Sequence, residues 1–136
     1  MKLALDTNVL IDAIVEQNQF EDAQALIMAV AQDRLEGVIS ANSITDIYYI
    51  LRKRIGDERT REAIWNLMAL FEVAVVNAEV CETALSTPMK DFEDAVLAVC
   101  AKQAGADAVV TGDLGFLAEK EAPIEVTTVR EVLNAL

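Results

Sequence analysis

A chain of 136 residues, 54% hydrophobic and 25% charged, is long enough for one well-cored domain and too short for two, so residues 1–136 are read as a single domain. Its 23 Asp and Glu outnumber its 11 Lys and Arg, giving a net charge of −12, and it contains no histidine. That excludes imidazole bases and histidine-ligated zinc, leaves carboxylates as the main acid–base and metal-binding groups, and argues against passive nucleic-acid binding, which draws on Lys and Arg.

The chain opens with KLALDTNVLID, in which Leu3, Ala4 and Leu5 predict a short buried parallel strand that stops at Asp6. Val9, Leu10, Ala13 and Ile14 then space a short helix, and a second helix is expected over 20–35 with Gly37 ending it. Val38 and Ile39 make a second strand. Asn42 or Ser43 caps a third helix running to Arg54, ahead of a charged turn at 57–62 and a helix over 63–71. Residues 73–76 predict a third strand and 78–85 a helix that Ser86-Thr87-Pro88 stops. The helix expected over 91–104 is apolar on nearly every side, which places it in the interior or between layers. A fourth strand over 108–111 ends at Gly112-Asp113, followed by a helix over 114–121, a strand near 124–126 and a closing helix over 129–136. Strands alternating with helices imply an α/β fold with a parallel sheet covered on both faces. Cys81 and Cys100 lack CxxC spacing and read as small buried hydrophobes in a reducing compartment. With no leader sequence and no apolar stretch long enough for a membrane, a soluble cytoplasmic protein is expected.

Four acidic places compete for a functional role: Asp6 after strand one, Asp46 in the first turns of a helix, Asp91 with Asp94 opening the buried helix, and Asp113 after strand four. Asp6 and Asp113 share the carboxyl edge of a parallel sheet, where open α/β sheets place their ligands. Asp46 begins at that edge too, and Asp91 and Asp94 join it if the 78–85 helix runs back first. Singly, each acid has a simpler account: Asp6, Asp91 and Asp113 as helix caps, Asp94 as a first-turn charge, and Asp46 and Asp12 as solvated polar positions. Together, they repel one another, and a hard divalent cation such as Mg²⁺ or Mn²⁺ relieves the repulsion and suits phosphodiester hydrolysis. Thr7, Asn8 and Thr111 flank these acids and either orient carboxylates or satisfy local backbone groups.

LALDTNVLID, SITDIYYIL at 43–51, KDFEDAVLAVCA at 90–101 and VVTGD at 109–113 together resemble the PIN-domain family, including the toxins of bacterial toxin–antitoxin pairs. The resemblance spans nearly the whole chain, with the motifs in family order. It implies a three-layer α/β/α sandwich around a parallel sheet of four to five strands, and Mg²⁺- or Mn²⁺-dependent endoribonuclease activity. Asp6 and Asp94 look like the first and third metal-binding acids, with Asp91 beside the latter, and Asp113 like the fourth, variable one. The second acid is usually Glu in relatives and here is Asp46, one methylene shorter. Relatives often carry an acid immediately before the Phe, where this chain has Gly115-Phe116, and many have Asn or Arg at the position of Gly112. An antitoxin that blocks the cleft with a basic side chain and a homodimer are implied as partners, the helices over 20–35 and 63–71 offering a surface for self-association.

An RNA-contact role for Arg52, Lys53 and Arg54 competes with a solvated helix end whose cations favour the dipole. The alternative function is a PIN-like interaction module that acts through a protein partner without cleavage. A phosphoacceptor receiver domain shares the acidic pocket, but Thr111-Gly112-Asp113 offers no Lys. Nucleotide-binding glycine motifs are absent.

Overall fold

The middle of the molecule is a four-residue strand, Lys2–Leu5 (β1), whose last three residues are fully enclosed. The computed structural model describes residues 1–136. From β1 the chain enters a helix at Thr7–Val15 (α1), then Phe20–Ala31 (α2), a strand at Glu36–Ser40 (β2), and two successive helices at Ala41–Ile55 (α3) and Asp57–Leu70 (α4). Strand Glu72–Ala74 (β3) leads to helices Ala78–Leu85 (α5) and Phe92–Gln103 (α6). Strand Ala108–Val110 (β4), helix Leu114–Leu117 (α7), strand Glu125–Thr127 (β5) and helix Val129–Asn134 (α8) complete it.

The five strands lie in the order β3-β2-β1-β4-β5, and every neighbouring pair is parallel. Side chains alternate across the sheet as a pleated strand requires. Leu3, Leu5, Ile39 and Val110 face a core shared with α1 to α4 and α8; Ala4, Val38 and Val109 face one shared with α5, α6 and Phe116 of α7. The result is the three-layer α/β/α sandwich with a parallel sheet. Each fully hidden Leu, Ile or Phe contributes on the order of 1.5–3 kcal/mol relative to exposure. Seven consecutive residues of α6, Ala95–Ala101, are buried, as the all-round apolar pattern requires. Cys100 is among them, its Sγ donating to the Val75 carbonyl at 3.4 Å; both cysteines are free.

Several boundaries differ from those expected. The second helix stops at Ala31, where Asp33 takes a left-handed φ of 58° and turns the chain, so Gly37 lies inside β2 instead of ending a helix. A Cβ at Gly37 would overlap the Phe71 ring, which is why the strand carries glycine there. The charged stretch 57–62 is not a turn but the opening of α4. Gly56, at φ 84°, reverses the chain in one residue, and Asp57 and Glu58 sit where the helix dipole favours acids. β3 begins one residue earlier than expected and β5 one later, while α7 closes after four residues and α8 stops at Asn134. No helix is long and apolar enough to cross a membrane.

Candidate active site

β1 pairs with β2 on one side and β4 on the other, so the sequence order of the strands reverses between β1 and β4, and a parallel sheet opens a crevice at that point. Asp6 and Asp113 follow the two strands that flank it. The helix α5 packs against α6, and the first turn of α6 lies at the same edge as Asp6 and Asp113. A cleft of about 850 Å³ forms there, lined by Asp6, Asp12, Asp91, Glu93, Asp94 and Asp113 together with neutral polar groups, and no Lys or Arg lines it.

Asp6 is the most tightly held of these acids. One carboxylate oxygen accepts from the Thr7 backbone N–H at 2.8 Å; the other accepts from Asn8 Nδ2 at 3.0 Å and the Thr111 hydroxyl at 2.8 Å. Thr111, wholly buried, also accepts the Asp113 N–H at 3.0 Å, while Asn8 Oδ1 accepts the Gly112 N–H at 3.1 Å. Asn8 and Thr111 thus lash the ends of β1 and β4 together around one carboxylate, and Thr7 contributes through its backbone. Burial raises the Asp6 pKa, the bonds from Thr111, Thr7 and Asn8 oppose the rise, and the charge of Asp113 adds to it.

Asp91 and Asp113 each cap a helix with one oxygen, Asp91 accepting from the Asp94 N–H at 2.9 Å and Asp113 from the Gly115 N–H at 3.0 Å. The helix-cap account of both is therefore correct as far as it goes, and each keeps a second oxygen for the cleft. Burial is the main reason that the Asp94 carboxyl is pushed up to about 7, with the charges of Asp91, Asp6, Asp113 and Glu93 adding to it. Glu93 is raised first by a carboxyl–carboxyl hydrogen bond to Asp46, then by burial and the charges of Asp46, Asp91 and Asp6. Asp46 thus meets the cluster through Glu93 and does not itself line the cleft.

Sequence reasoning passed over Glu93 and set Asp12 aside as a solvated position. Three acids within the four residues 91–94 were the available signal for Glu93, and the Asn8-to-Asp12 spacing of one helical turn was the signal for Asp12. Asp12 accepts from Gln17 Nε2 and Asn18 Nδ2, both at 3.2 Å, which shapes the cleft wall opposite α6. Of the three basic candidates only Arg54 is tied to that wall, donating to Gln17 Oε1 at 3.2 Å; Arg52 turns the other way, over Tyr49.

Six carboxylates with no countercharge, all hard oxygen donors, suit Mg²⁺ or Mn²⁺. No three acid or thiol side chains are grouped tightly enough to cage an ion. A hard cation held here would take one or two protein oxygens and keep much of its water, as Mg²⁺ commonly does.

The fold recurs among solved structures. A chain in the VapBC2 complex from Rickettsia felis bound to a promoter DNA fragment superposes with a TM-score of 0.71 at 17% identity, covering 94% of this chain and 98% of that one. Mycobacterium tuberculosis VapC20, described as a Sarcin-Ricin loop cleaving toxin, gives 0.66 at 16% identity over 84% of this chain and 92% of that one. PAE2754 from Pyrobaculum aerophilum gives 0.62 at 20% identity over 99% of this chain and 94% of that one. No curated protein matches the sequence. The sequence model of the PIN domain, however, matches residues 2–115, the span that carries β1, β4 and every acid of the cleft, and the chain belongs to the PIN-domain family.

Proposed function

We propose that the protein is a Mg²⁺- or Mn²⁺-dependent endoribonuclease and the toxin of a toxin–antitoxin pair. The observation that carries this reading is the meeting of acids from three distant segments, around Asp6, Asp94 and Asp113, in one cleft that holds no basic residue. Family membership supplies the nuclease class, and several similar structures are toxin–antitoxin complexes.

Asp6 and Asp94 would hold the cation, with the free oxygens of Asp91 and Asp113 available to it or to its waters; Asp46 would act through Glu93. When bound, a hard divalent cation at that place activates a water and stabilises the leaving oxygen of a phosphodiester. The chain's own part is positional. Thr111, Asn8 and the Thr7 N–H fix Asp6 in one orientation, so its ligating oxygens need no reordering. The buried body of α6 holds the Asp91–Asp94 turn rigidly against it. Gln17 and Asn18 keep Asp12 drawn into the wall opposite.

The partners proposed are an RNA substrate and a cognate antitoxin, with the protein acting in the cytoplasm as a homodimer. An apolar groove between α1, α2 and α4, lined by Ile14, Ile27, Met28, Leu67 and Leu70, offers a protein partner a seat. Asp6→Asn and Asp94→Asn should each abolish Mn²⁺-dependent RNA cleavage and growth inhibition on expression. Retained activity in either overturns the assignment. The second reading, an interaction module without cleavage, draws on the lack of a tight three-carboxylate group. It gains if calorimetry finds no Mn²⁺ binding while a small protein co-purifies.

A further inference from the structure

Outside the cleft, the chain departs most from its acidic average where α3 ends and α4 begins. Eleven Lys and Arg serve the whole molecule, and five of them, Arg52, Lys53, Arg54, Arg59 and Arg61, fall within ten residues there. Arg52, Lys53 and Arg54 are exposed and make no ion pair, although acids outnumber bases two to one. Aromatic rings stand among them. Tyr48 and Tyr49 meet edge to face at 5.1 Å, and the Arg52 guanidinium lies 5.6 Å from the Tyr49 ring centre; Arg61, 5.4 Å from the Tyr48 ring centre, is paired at 3.0 Å with Asp57, which also accepts from the Tyr48 hydroxyl. Tyr49 is 58% exposed and Trp65, across a groove of about 390 Å³ from it, 73%.

This face is continuous with the cleft. Ile50, next to Tyr49 on α3, lines the cleft, and Arg54 one turn later is bonded to Gln17 of the cleft wall. At 100° per residue, a path around α3 passes from Ile50 and Arg54 over Lys53 to Tyr49 and Arg52, then to Trp65 on α4. Flat exposed rings interleaved with unpaired cations match single-stranded nucleic acid, whose bases stack on aromatics while its phosphates meet Arg and Lys.

Building on the ribonuclease reading, we propose that this face is a stacking platform for single-stranded RNA running out of the cleft. Bases lie on Tyr49 and Trp65, and phosphates meet Arg52, Lys53 and Arg54. The platform supplies the electrostatic attraction that the acidic cleft withholds and selects unpaired over duplex substrate. A second copy of this chain is the weaker occupant, because a two-fold contact would bury the same unpaired cations from both copies without supplying them a countercharge.

Trp65 is the only tryptophan, so its emission reports directly on the platform. The experiment titrates a twelve-nucleotide single-stranded RNA, and its duplex, into Asp94→Asn protein, with cleavage by the Asp94 protein measured in parallel. Single strands should quench Trp65, and duplex should not. Tyr49→Ala should raise the Kd at least about fivefold, with Tyr49→Phe restoring it. Arg52→Ala should flatten the plot of log affinity against log salt by about 0.7, the value for one lost single-strand phosphate contact. Trp65→Leu should raise KM for RNA and leave kcat unchanged. Cleavage without quenching, or equal quenching by duplex, overturns the platform and leaves the nuclease standing. Quenching without cleavage keeps the platform and removes the nuclease reading, and neither signal removes both. Emission that shifts with protein concentration and ignores RNA assigns the face to self-association and overturns the proposal.

Discussion

Replacing Asp94 by Asn should make the metal-free protein more stable while destroying its activity. Burial is the main obstacle to ionising Asp94, and the charges of Asp91, Asp6, Asp113 and Glu93 add to it. Because its folded pKa lies above the unfolded value, the folded state holds the extra proton between about pH 4 and 7. The associated stability is fully present below pH 4 and is lost as pH rises through about 7. At about 1.36 kcal/mol per pH unit, a displacement from 3.8 to about 7 caps the effect at roughly 4 kcal/mol. Asp94 is only half-buried, so screening by water and salt brings the expected gain down to about 1–2 kcal/mol. For a chain of this size that is a Tm rise of about 3–8 °C. Thermal melts of both proteins in chelator at pH 8 and pH 4 measure it: a clear gain at pH 8, little at pH 4. Millimolar Mn²⁺ should shrink the gain at pH 8 by stabilising the Asp94 protein. A variant no more stable at pH 8, or equally favoured at both pH values, would refute the argument that burial and neighbouring charge hold Asp94 protonated.

Thr111→Val keeps the shape but removes the hydroxyl that serves Asp6 and the Asp113 N–H. Chemical denaturation should show a loss of about 1–2 kcal/mol, and calorimetry Mn²⁺ binding about 10–100-fold weaker. Unchanged Mn²⁺ affinity would mean that Asp6 needs no such support. Gly37→Ala sets a methyl group against the Phe71 ring and should cost about 1–3 kcal/mol by urea denaturation, with Phe71→Leu recovering part of it in the double variant. Phe116→Ala, which empties a site only 1% exposed in the core shared with α5 and α6, should cost about 3–5 kcal/mol; a loss under 1 kcal/mol would show that the surrounding side chains collapse into the space.

The sequence shows most plainly those features set by neighbours along the chain. Leu3-Ala4-Leu5 followed by Asp6 is legible because an apolar run in a parallel sheet must end at the carboxyl edge, and the α6 pattern because seven buried residues in succession have no polar face. The shared edge of Asp6 and Asp113 followed from topology alone, whereas that of Asp91 and Asp94 needed an added assumption about the 78–85 helix, and Asp46 falls outside the cleft lining. What stayed hidden depends on contacts distant in sequence or on a single torsion. Gly37 looks like a helix stop until Phe71 is seen to occupy its missing side chain. The 57–62 stretch looks like a turn because nothing in its composition reveals that Gly56 reverses the chain alone. Whether Asp46 would touch the cleft or stand behind Glu93 turned on rotamers that no spacing rule specifies.

The two sides of the cleft are built from different material. On one, acids project from the first turn of a helix whose next seven residues are wholly enclosed, so any shift there would disturb the core behind it. On the other, Gln17, Asn18 and Gln19 belong to a short surface connection, held by hydrogen bonds from the Gln17 and Asn18 side chains to Asp12 and from Arg54 to Gln17. If the protein is the ribonuclease proposed above, the connection is the side on which substitutions change the shape of the cleft without disturbing the core, and exchanging those three residues is the economical way to alter what the cleft accepts.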